Sequence, residues 1–276
     1  MLRSMTYAQL LISFTGFAAL VVSALSTAAE APSAAIVAFD KYVAAAELRL
    51  ARQHQSPSAF LIEAAPLPQT DARLRRGEFI VEKLAPSEEI PGAMLHHWRG
   101  TAFAPGATAA SFEQLLRDLP GYPRTFAPQV LQARLLSQQN GHLSASMRVR
   151  QKHVLTVVLD TTYDITYAQL DPYHRYSLSR STQVSEIDSA GAKSERILSS
   201  TEEHGFLWRL NTYWTWEERD GGLYLQIESV SLTRSIPHGL AWAVRPFVES
   251  VPRESLEFTL RSACNALHTS PPQAMK

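Results

Sequence analysis

The sequence contains a single cysteine, Cys264, among 276 residues. It therefore cannot form an intrachain disulfide or a cluster of thiolate metal ligands. Its 26 Lys and Arg residues are balanced by 26 Asp and Glu residues. Because no positive excess is present to neutralise phosphates, the composition argues against a general nucleic-acid-binding protein.

Recognisable catalytic and cofactor motifs are also missing. The sequence has no G-x-S-x-G elbow, no phosphate-binding loop, no dinucleotide glycine fingerprint and no H-E-x-x-H. His96 and His97 are adjacent in a predicted strand, where neighbouring side chains point to opposite faces, so the pair cannot chelate one ion. We therefore predict no catalytic constellation, no metal site and no cofactor.

Long apolar runs are absent except at the N-terminus, where Arg3 precedes an apolar run over about 10–25 that small residues follow. This order is typical of a secretory signal peptide, and we predict cleavage after Ala28 or Ala29 to give a periplasmic or secreted protein with no membrane span. The alternative is an uncleaved membrane anchor, although the run is marginal against the roughly 20 residues that a spanning helix needs.

The remaining chain has the composition of a folded protein. Apolar residues make up 45% of the sequence and charged residues 19%, which favours a globular domain over a disordered chain. The predicted division is a signal peptide over 1–29, an N-terminal helix and loop over 30–70, and a main domain over 71–270. The sequence does not indicate an oligomeric state.

Hydrophobic periodicity predicts the order helix, β-meander with a small inserted helix, and long C-terminal helix. Helices are predicted at 34–53 and 108–119, and two apolar helical stripes after 240 are expected to be separated by Pro252. Cys264 lies on the second stripe and is interpreted as a buried core residue. Predicted strands cover 74–84, 94–103, 129–138, 143–152, 153–168, 173–187, 205–218 and 223–234.

Alternation within the predicted strands favours a sheet that is covered on one side. In the strand at 153–168, apolar residues such as Leu159 and Ile165 alternate with polar residues such as Asp160 and Asp164. Asp220, Gly221 and Gly222 between the last two strands form a strong hairpin signal.

The stretch 205–219 is the richest in aromatic residues. Its alternation predicts one face with Phe206, Trp208, Leu210, Thr212, Trp214 and Trp216, and an opposite face with Leu207, Arg209, Asn211, Tyr213, Thr215 and Glu217. The tryptophans either line a cavity for a flat or long apolar ligand or pack under the C-terminal helix. The polar face is either solvated or the polar end of a pocket. Whether Glu228 meets Arg209 cannot be decided, because sequence does not establish the strand register.

The segment 204–260 resembles bacterial exported proteins of the START-like, or SRPBCC, superfamily. The resemblance is carried by W-R-L-N-x-Y, the D-G-G hairpin, S-L-x-R-x-I-P and P-R-E-S-L, and it extends loosely over about 77–267. It implies an α+β helix-grip fold, in which a curved antiparallel β-sheet wraps around a long C-terminal helix with a hydrophobic cavity between them. Relatives bind sterols, phospholipids, hormones or polyketides, and a minority are cyclases or hydroxylating enzymes. The extra N-terminal helix departs from this pattern and is expected to cap the cavity or to dock elsewhere.

Three functional hypotheses follow. The favoured one is a non-enzymatic binder or carrier of a hydrophobic, lipid-like molecule in the cell envelope. The alternative is a cyclase- or hydrolase-like enzyme with Tyr213 as acid, Arg209 as oxyanion stabiliser and Glu228 as base. A purely structural envelope protein is the third. The predicted ligand-binding residues are Trp208, Arg209, Asn211, Tyr213, Trp214, Trp216, Glu228, Tyr163 and Tyr167.

Overall fold

The structure, a computed structural model, describes residues 30–61, 68–84, 88–152, 156–235 and 241–269. The predicted signal peptide at 1–29 lies outside the described residues. None of the helices described is both long enough and apolar enough to cross a membrane.

The helices are α1 (Ser33–Gln53), α2 (Pro68–Arg75), α3 (Ala109–Arg117), α4 (Tyr122–Thr125) and α5 (Ala241–Thr269). The predictions at 34–53 and 108–119 are confirmed. The predicted long C-terminal helix is confirmed, and Pro252, which was expected to separate its two apolar stripes, lies inside α5. A proline removes one backbone hydrogen bond from a helix, and the burial of residues such as Leu256 and Leu260 on the same helix outweighs that loss.

Helix α2 was not predicted, because its sequence was divided between a loop and the strand predicted at 74–84. The helix is polar, and an Asp71–Arg75 hydrogen bond one turn apart supports it. Its buried residue, Leu74, packs against Phe103 and Tyr224. A single apolar anchor of this kind leaves no periodicity to detect.

The strands are β1 (Ile80–Lys83), β2 (Glu88–Ile90), β3 (Ala93–Pro105), β4 (Val130–Gln139), β5 (His142–Lys152), β6 (Thr156–Gln169), β7 (His174–Asp188), β8 (Arg196–Ile197), β9 (Arg209–Arg219) and β10 (Gly222–Arg234). The main path of the sheet runs β1-β3-β10-β9-β7-β6-β5-β4, with β2 on β3 and β8 on β7. Every pairing is antiparallel. Asp220 and Gly221 both have positive φ at the β9–β10 turn, which confirms the predicted hairpin.

One face of the sheet packs against α5. The cluster on this side combines residues of α3, β3, β9, β10 and α5: Ala102, Ala104, Phe112, Trp214, Trp216, Leu225, Ile227, Leu256, Leu260, Cys264 and Leu267. At the far end of the sheet, Gln151 of β5 donates a hydrogen bond of 3.1 Å to Ser255 of α5. Since strands near opposite edges reach the same helix, the sheet curves around α5, and the predicted helix-grip fold is confirmed. We call this side the concave face. Cys264 is buried in it, as predicted.

The other side, the convex face, is covered by α1. Their shared cluster consists of Ala35, Phe39, Val43, Leu50, Ala93, Leu95, Trp208, Tyr213, Val230 and Leu232. The extra N-terminal helix therefore docks on the face opposite α5 and does not cap the space beside α5. The prediction of a sheet covered on one side holds for β6, where Asp160 and Asp164 keep partial exposure. It is wrong for β10, where residues on both faces are buried because a helix lies on each side.

Close contact between the sheet and α5 depends on Gly100 of β3. A Cβ atom at this position would lie 2.2 Å from Leu256 Cδ2 and 2.5 Å from Leu260 Cδ1. We therefore expect Gly100→Ala to lower the free energy of unfolding by about 1–3 kcal/mol through overpacking. Urea unfolding measures this change. In a Leu256→Ala background the loss should be smaller, and an equal loss in both backgrounds would show that the clash is not its cause.

Candidate functional site

Small hydroxyl side chains occupy the middle of the concave face. Thr212 of β9 pairs directly with Ser229 of β10 and with Ser179 of β7. All three keep partial exposure, whereas Ile227 and Trp214 in the next position along the same face are buried. Side chains at the centre of a helix-covered sheet are accessible only where the helix does not close over them. We call Ser229, Thr212 and Ser179 the hydroxyl row, and the space above it the chamber.

Apolar and aromatic side chains surround the hydroxyl row. On the β5–β6 side lies a cluster of Leu119, Leu143, Ala145, Tyr163 and Ile165, against which Met147, Tyr167 and Leu210 pack. Tyr167 donates a hydrogen bond to the Leu116 carbonyl, and burial raises the pKa of Tyr167 to about 12. Burial also raises the pKa of Tyr163. Both phenols are therefore protonated at neutral pH, and both lie on the concave face.

Trp214 and Trp216 also lie on the concave face, as the alternation of 205–219 predicts. Both rings meet Phe112 edge-on, at centroid distances of 5.0 and 5.2 Å. Trp216 is fully buried and donates a hydrogen bond to the Ala109 carbonyl. Trp216 is thus part of the fully packed core. Trp214 lies at the edge of that core, beside the hydroxyl row.

Trp208 does not share this face, so its predicted alignment with Trp214 and Trp216 was wrong. Strand β9 begins only at Arg209, and Gly205 ahead of it has a φ of +77°. Strand alternation does not extend back through such a bend. Trp208 instead packs in the cluster beneath α1.

The convex face holds a buried ion cluster of Glu228, Arg49, Arg99 and His97. Glu228 of β10 is 1% exposed and accepts a hydrogen bond from Arg49 of α1. It also bonds Arg99 at 2.9 Å and His97 at 3.0 Å, both from β3. Burial raises the pKa of Glu228, but the hydrogen bond from His97 and the charges of Arg99 and Arg49 outweigh it and hold the pKa at about 2. Glu228 is thus ionised at neutral pH.

A second polar contact joins α1 to β7 and β9. Arg180 makes two hydrogen bonds to Glu47, of 2.6 and 2.8 Å. Tyr213 donates a hydrogen bond of 3.0 Å to Glu47 and accepts one of 3.2 Å from Asn211. Burial raises the pKa of Tyr213, and the charge of Glu47 raises it further, so the phenol stays a donor. Arg209 bonds the carbonyl of its neighbour Trp208.

The end of α1 buries further polar groups. The Gln53 amide donates a hydrogen bond of 2.6 Å to the Phe60 carbonyl. His54 lies 2.9 Å from the Thr215 hydroxyl and stacks on Tyr176. Burial lowers the pKa of His54 to about 4, so the ring is neutral at neutral pH.

The structure therefore divides the predicted ligand-binding residues into two groups. Trp214, Trp216, Tyr163 and Tyr167 lie on the concave face, whereas Trp208, Arg209, Asn211, Tyr213 and Glu228 lie on the convex face. Glu228 is paired with Tyr213 across the hairpin, and Arg209 is paired with Leu232, which settles the open register. Tyr213 and Glu228 are bonded to α1 and do not face the chamber.

Sequence reasoning missed several of these partners. Neither Arg49 nor Arg99 was singled out. Ser179 could have been found, because Ser177, Ser179 and Ser181 alternate along one strand face. The prediction that His96 and His97 point to opposite faces of the sheet is confirmed. His96 lies 3.2 Å from Thr233, whereas His97 bonds Glu228 on the other face.

An antiparallel sheet that curves around a C-terminal helix defines the START-like helix-grip class. Similar solved structures include the protein TTHA0849 from Thermus thermophilus, at 12% identity and TM-score 0.45, covering 62% of this chain and 98% of that chain. The Zhui aromatase/cyclase from Streptomyces sp. R1128 has 14% identity and TM-score 0.43, covering 63% and 94%. A STAR-related lipid transfer protein from Xanthomonas axonopodis has 18% identity and TM-score 0.41, covering 68% and 100%.

The predicted resemblance to START-like proteins is confirmed by these structures. No family model matches the sequence, and no curated protein matches it. Identities of 12–18% with TM-scores below 0.5 concern the fold alone. The ligands of those proteins therefore give no information about the ligand of this chain.

The buried ion cluster predicts a stability contribution that depends on pH. Glu228→Gln leaves the buried Arg99 with only the more distant Glu82, at 3.9 Å, as a counter-charge, and we expect it to lower the free energy of unfolding by about 3 kcal/mol at pH 7. Because the folded pKa of Glu228 is depressed to about 2, the wild-type contribution is lost as pH falls from about 4.5 towards 2. The difference between wild type and variant in urea unfolding should narrow over that range.

Glu257→Gln is the matched control. Glu257 is exposed on α5 and pairs with Arg261 at 3.0 Å, one helical turn away. An exposed pair of this kind contributes about 0.3–0.5 kcal/mol. Equal losses for the two variants at pH 7 would contradict a stabilising role for the buried ion cluster.

Proposed function

We propose that the chain is a non-enzymatic binder or carrier of a hydrophobic, lipid-like small molecule held in the chamber between the sheet and α5. The observation that carries this proposal is the partial exposure of Ser229, Thr212 and Ser179 at the centre of the concave face. A filled interface, as expected for a purely structural protein, would bury residues at the centre of the sheet.

The surroundings of the chamber favour an apolar ligand. Trp214, Leu210 and Ile165 present aromatic and aliphatic surface beside the hydroxyl row. Transfer of a methylene group from water to such surface contributes about 0.8 kcal/mol. A ligand with a long or flat apolar body therefore gains most from this space, and the hydroxyl groups orient it.

Export to the cell envelope is part of the proposal, and it is supported by the basic, apolar and small-residue order of 1–29. A carrier in an aqueous compartment has to shield its ligand from water, and a chamber between a sheet and a helix meets that need.

The residues predicted for the enzyme alternative do not face the chamber. Tyr213 and Glu228 are bonded to α1 on the convex face, and Arg209 is bonded to a backbone carbonyl. A general acid or base must come within hydrogen-bond reach of the reacting group. An enzyme acting in the chamber would therefore need other residues, and the placement of these three favours the binder.

Filling the chamber tests the proposal. In Thr212→Phe the ring occupies the space over the hydroxyl row, so we expect binding of Nile red to weaken at least roughly tenfold while the unfolding midpoint changes little. Fluorescence titration and thermal unfolding measure the two quantities. A large loss of stability with unchanged dye binding would mean that Thr212 lies in closed core, where overpacking costs about 1–3 kcal/mol.

Thr166→Phe is the matched control. Thr166 is also a partly exposed threonine in a strand, but it lies in β6 on the convex face. It should leave dye binding unchanged. Native mass spectrometry of protein purified from its own cells, followed by lipid extraction, identifies the natural ligand. The absence of any co-purifying apolar molecule would count against the carrier function.

A further inference from the structure

The hydroxyl row continues into an aromatic residue of β3. Ser229 pairs with Trp98 across the β10–β3 ladder, and Thr212 and Ser179 extend the same line. The four residues thus cross four neighbouring strands, and at about 4.8 Å between strands they span about 14 Å. Trp98 packs at the margin of the cluster formed with α5, which places it on the concave face.

The indole nitrogen of Trp98 lacks an acceptor. Its Nε1 atom is buried and has no hydrogen-bond partner among the residues that the structure describes. A tryptophan N–H can only donate, and a buried donor without a partner is uncommon in folded proteins. Trp208 has the same unpartnered donor beneath α1. At Trp98, however, the donor stands at the end of a row of partly exposed hydroxyl groups, and the two observations together indicate that an oxygen atom is to be bound here.

We propose that the line of Trp98, Ser229, Thr212 and Ser179 binds an otherwise apolar ligand through an uncharged oxygen, a hydroxyl or a carbonyl, which bonds neighbouring members of the line such as Trp98 and Ser229. The inference rests on the proposed function and specifies its ligand class. Hydroxyl side chains both donate and accept, so they satisfy either kind of oxygen. The indole N–H supplies the additional donor. The site selects a neutral amphiphile over a carboxylate of the same length.

The distribution of charge supports a neutral ligand. Three of the four residues are next in sequence to an ionised residue: Arg99 follows Trp98, Glu228 precedes Ser229 and Arg180 follows Ser179. Strand alternation sends these charges to the convex face, where they pair with one another or with α1. On the concave face, Arg175 is bonded to Glu113 at 2.7 Å. Lys83 of β1 stands at the Trp98 end of the row, but it is exposed, and its ammonium group lies over the ring face at 5.8 Å from the ring centre. A carboxylate moved from water onto the row would otherwise meet neutral hydroxyls and one indole N–H, which compensate poorly for the hydration that it loses.

Three ligands with the same number of carbon atoms test this selectivity. Displacement of Nile red from the wild-type protein at pH 8 is measured with oleyl alcohol, with oleate and with 1-octadecene. We expect oleyl alcohol to bind at least roughly tenfold more tightly than the other two. Oleate binding as tightly as the alcohol would overturn the inference. If neither Nile red nor any of the three ligands binds, the proposed function itself fails.

Near-isosteric variants test whether the hydrogen-bonding groups of the row cause the preference for oleyl alcohol. The triple variant Ser179→Ala, Thr212→Val, Ser229→Ala and the single variant Trp98→Phe remove hydrogen-bonding groups and keep most of the shape. Both should weaken oleyl alcohol binding several-fold and leave 1-octadecene binding unchanged. Equal losses for the two ligands would show that the row acts through shape alone and would overturn the proposal.

Two controls complete the set. Ser177→Ala removes a hydroxyl one position along β7 on the same face, and Thr166→Val removes one on the opposite face. Both should bind oleyl alcohol as the wild type does. A loss in Thr166→Val as large as that in the triple variant would contradict a site at the row.

Discussion

The covering of the central strands on both faces is the constraint on which the rest of the structure depends. Strand β10 lies between α5 and α1, so residues on both of its faces are buried, except Ser229 and the last two residues of the strand, which keep partial exposure. Glu228 is buried for this reason, and an isolated buried carboxylate is strongly unfavourable. Arg99 from the sheet and Arg49 from α1 offset that cost together with His97. Helix α1 therefore contacts the sheet through charged as well as apolar groups, because Arg49 contributes to the pairing of Glu228.

This arrangement places the buried ion cluster and the hydroxyl row on opposite faces of the sheet. The convex face contains the buried ion cluster around Glu228 and the Glu47–Arg180 pair, both of which join the sheet to α1. The concave face contains the aromatic residues and the hydroxyl row, where the packing opens. Perturbed carboxylates often mark active sites, but structural ion networks shift pKa values in the same way. The position of Glu228 beneath α1 indicates that it belongs to a structural ion network.

Much of the fold could be predicted from the sequence, because period and turn chemistry are local properties. The stripe of α1, the long strands and the Asp220–Gly221 turn all follow from neighbouring residues. Which elements cover each face of a strand, by contrast, is not a local property of the sequence. The alternation at 205–219 separated Trp214 from Tyr213 correctly, but it could not show that α1 covers Tyr213. It also failed at Trp208, because nothing in the pattern marks where β9 begins. The pairing of Glu228 with Arg99 and Arg49 depends on register and docking, which a single sequence does not specify.

The position of the chamber follows from the sizes of side chains along the concave face. At β3, Gly100 has no side chain, so Leu256 and Leu260 of α5 approach the backbone closely. That close contact holds α5 over β1, β3 and β10. Strands β9 and β7 then lie further around the curve, and Thr212 and Ser179 are too short to reach across to the helix. Large apolar residues there would complete a closed core, so the small side chains are what keep the concave face open. A glycine on one side and hydroxyl residues on the other thus determine where α5 packs closely on the sheet and where the concave face stays partly exposed.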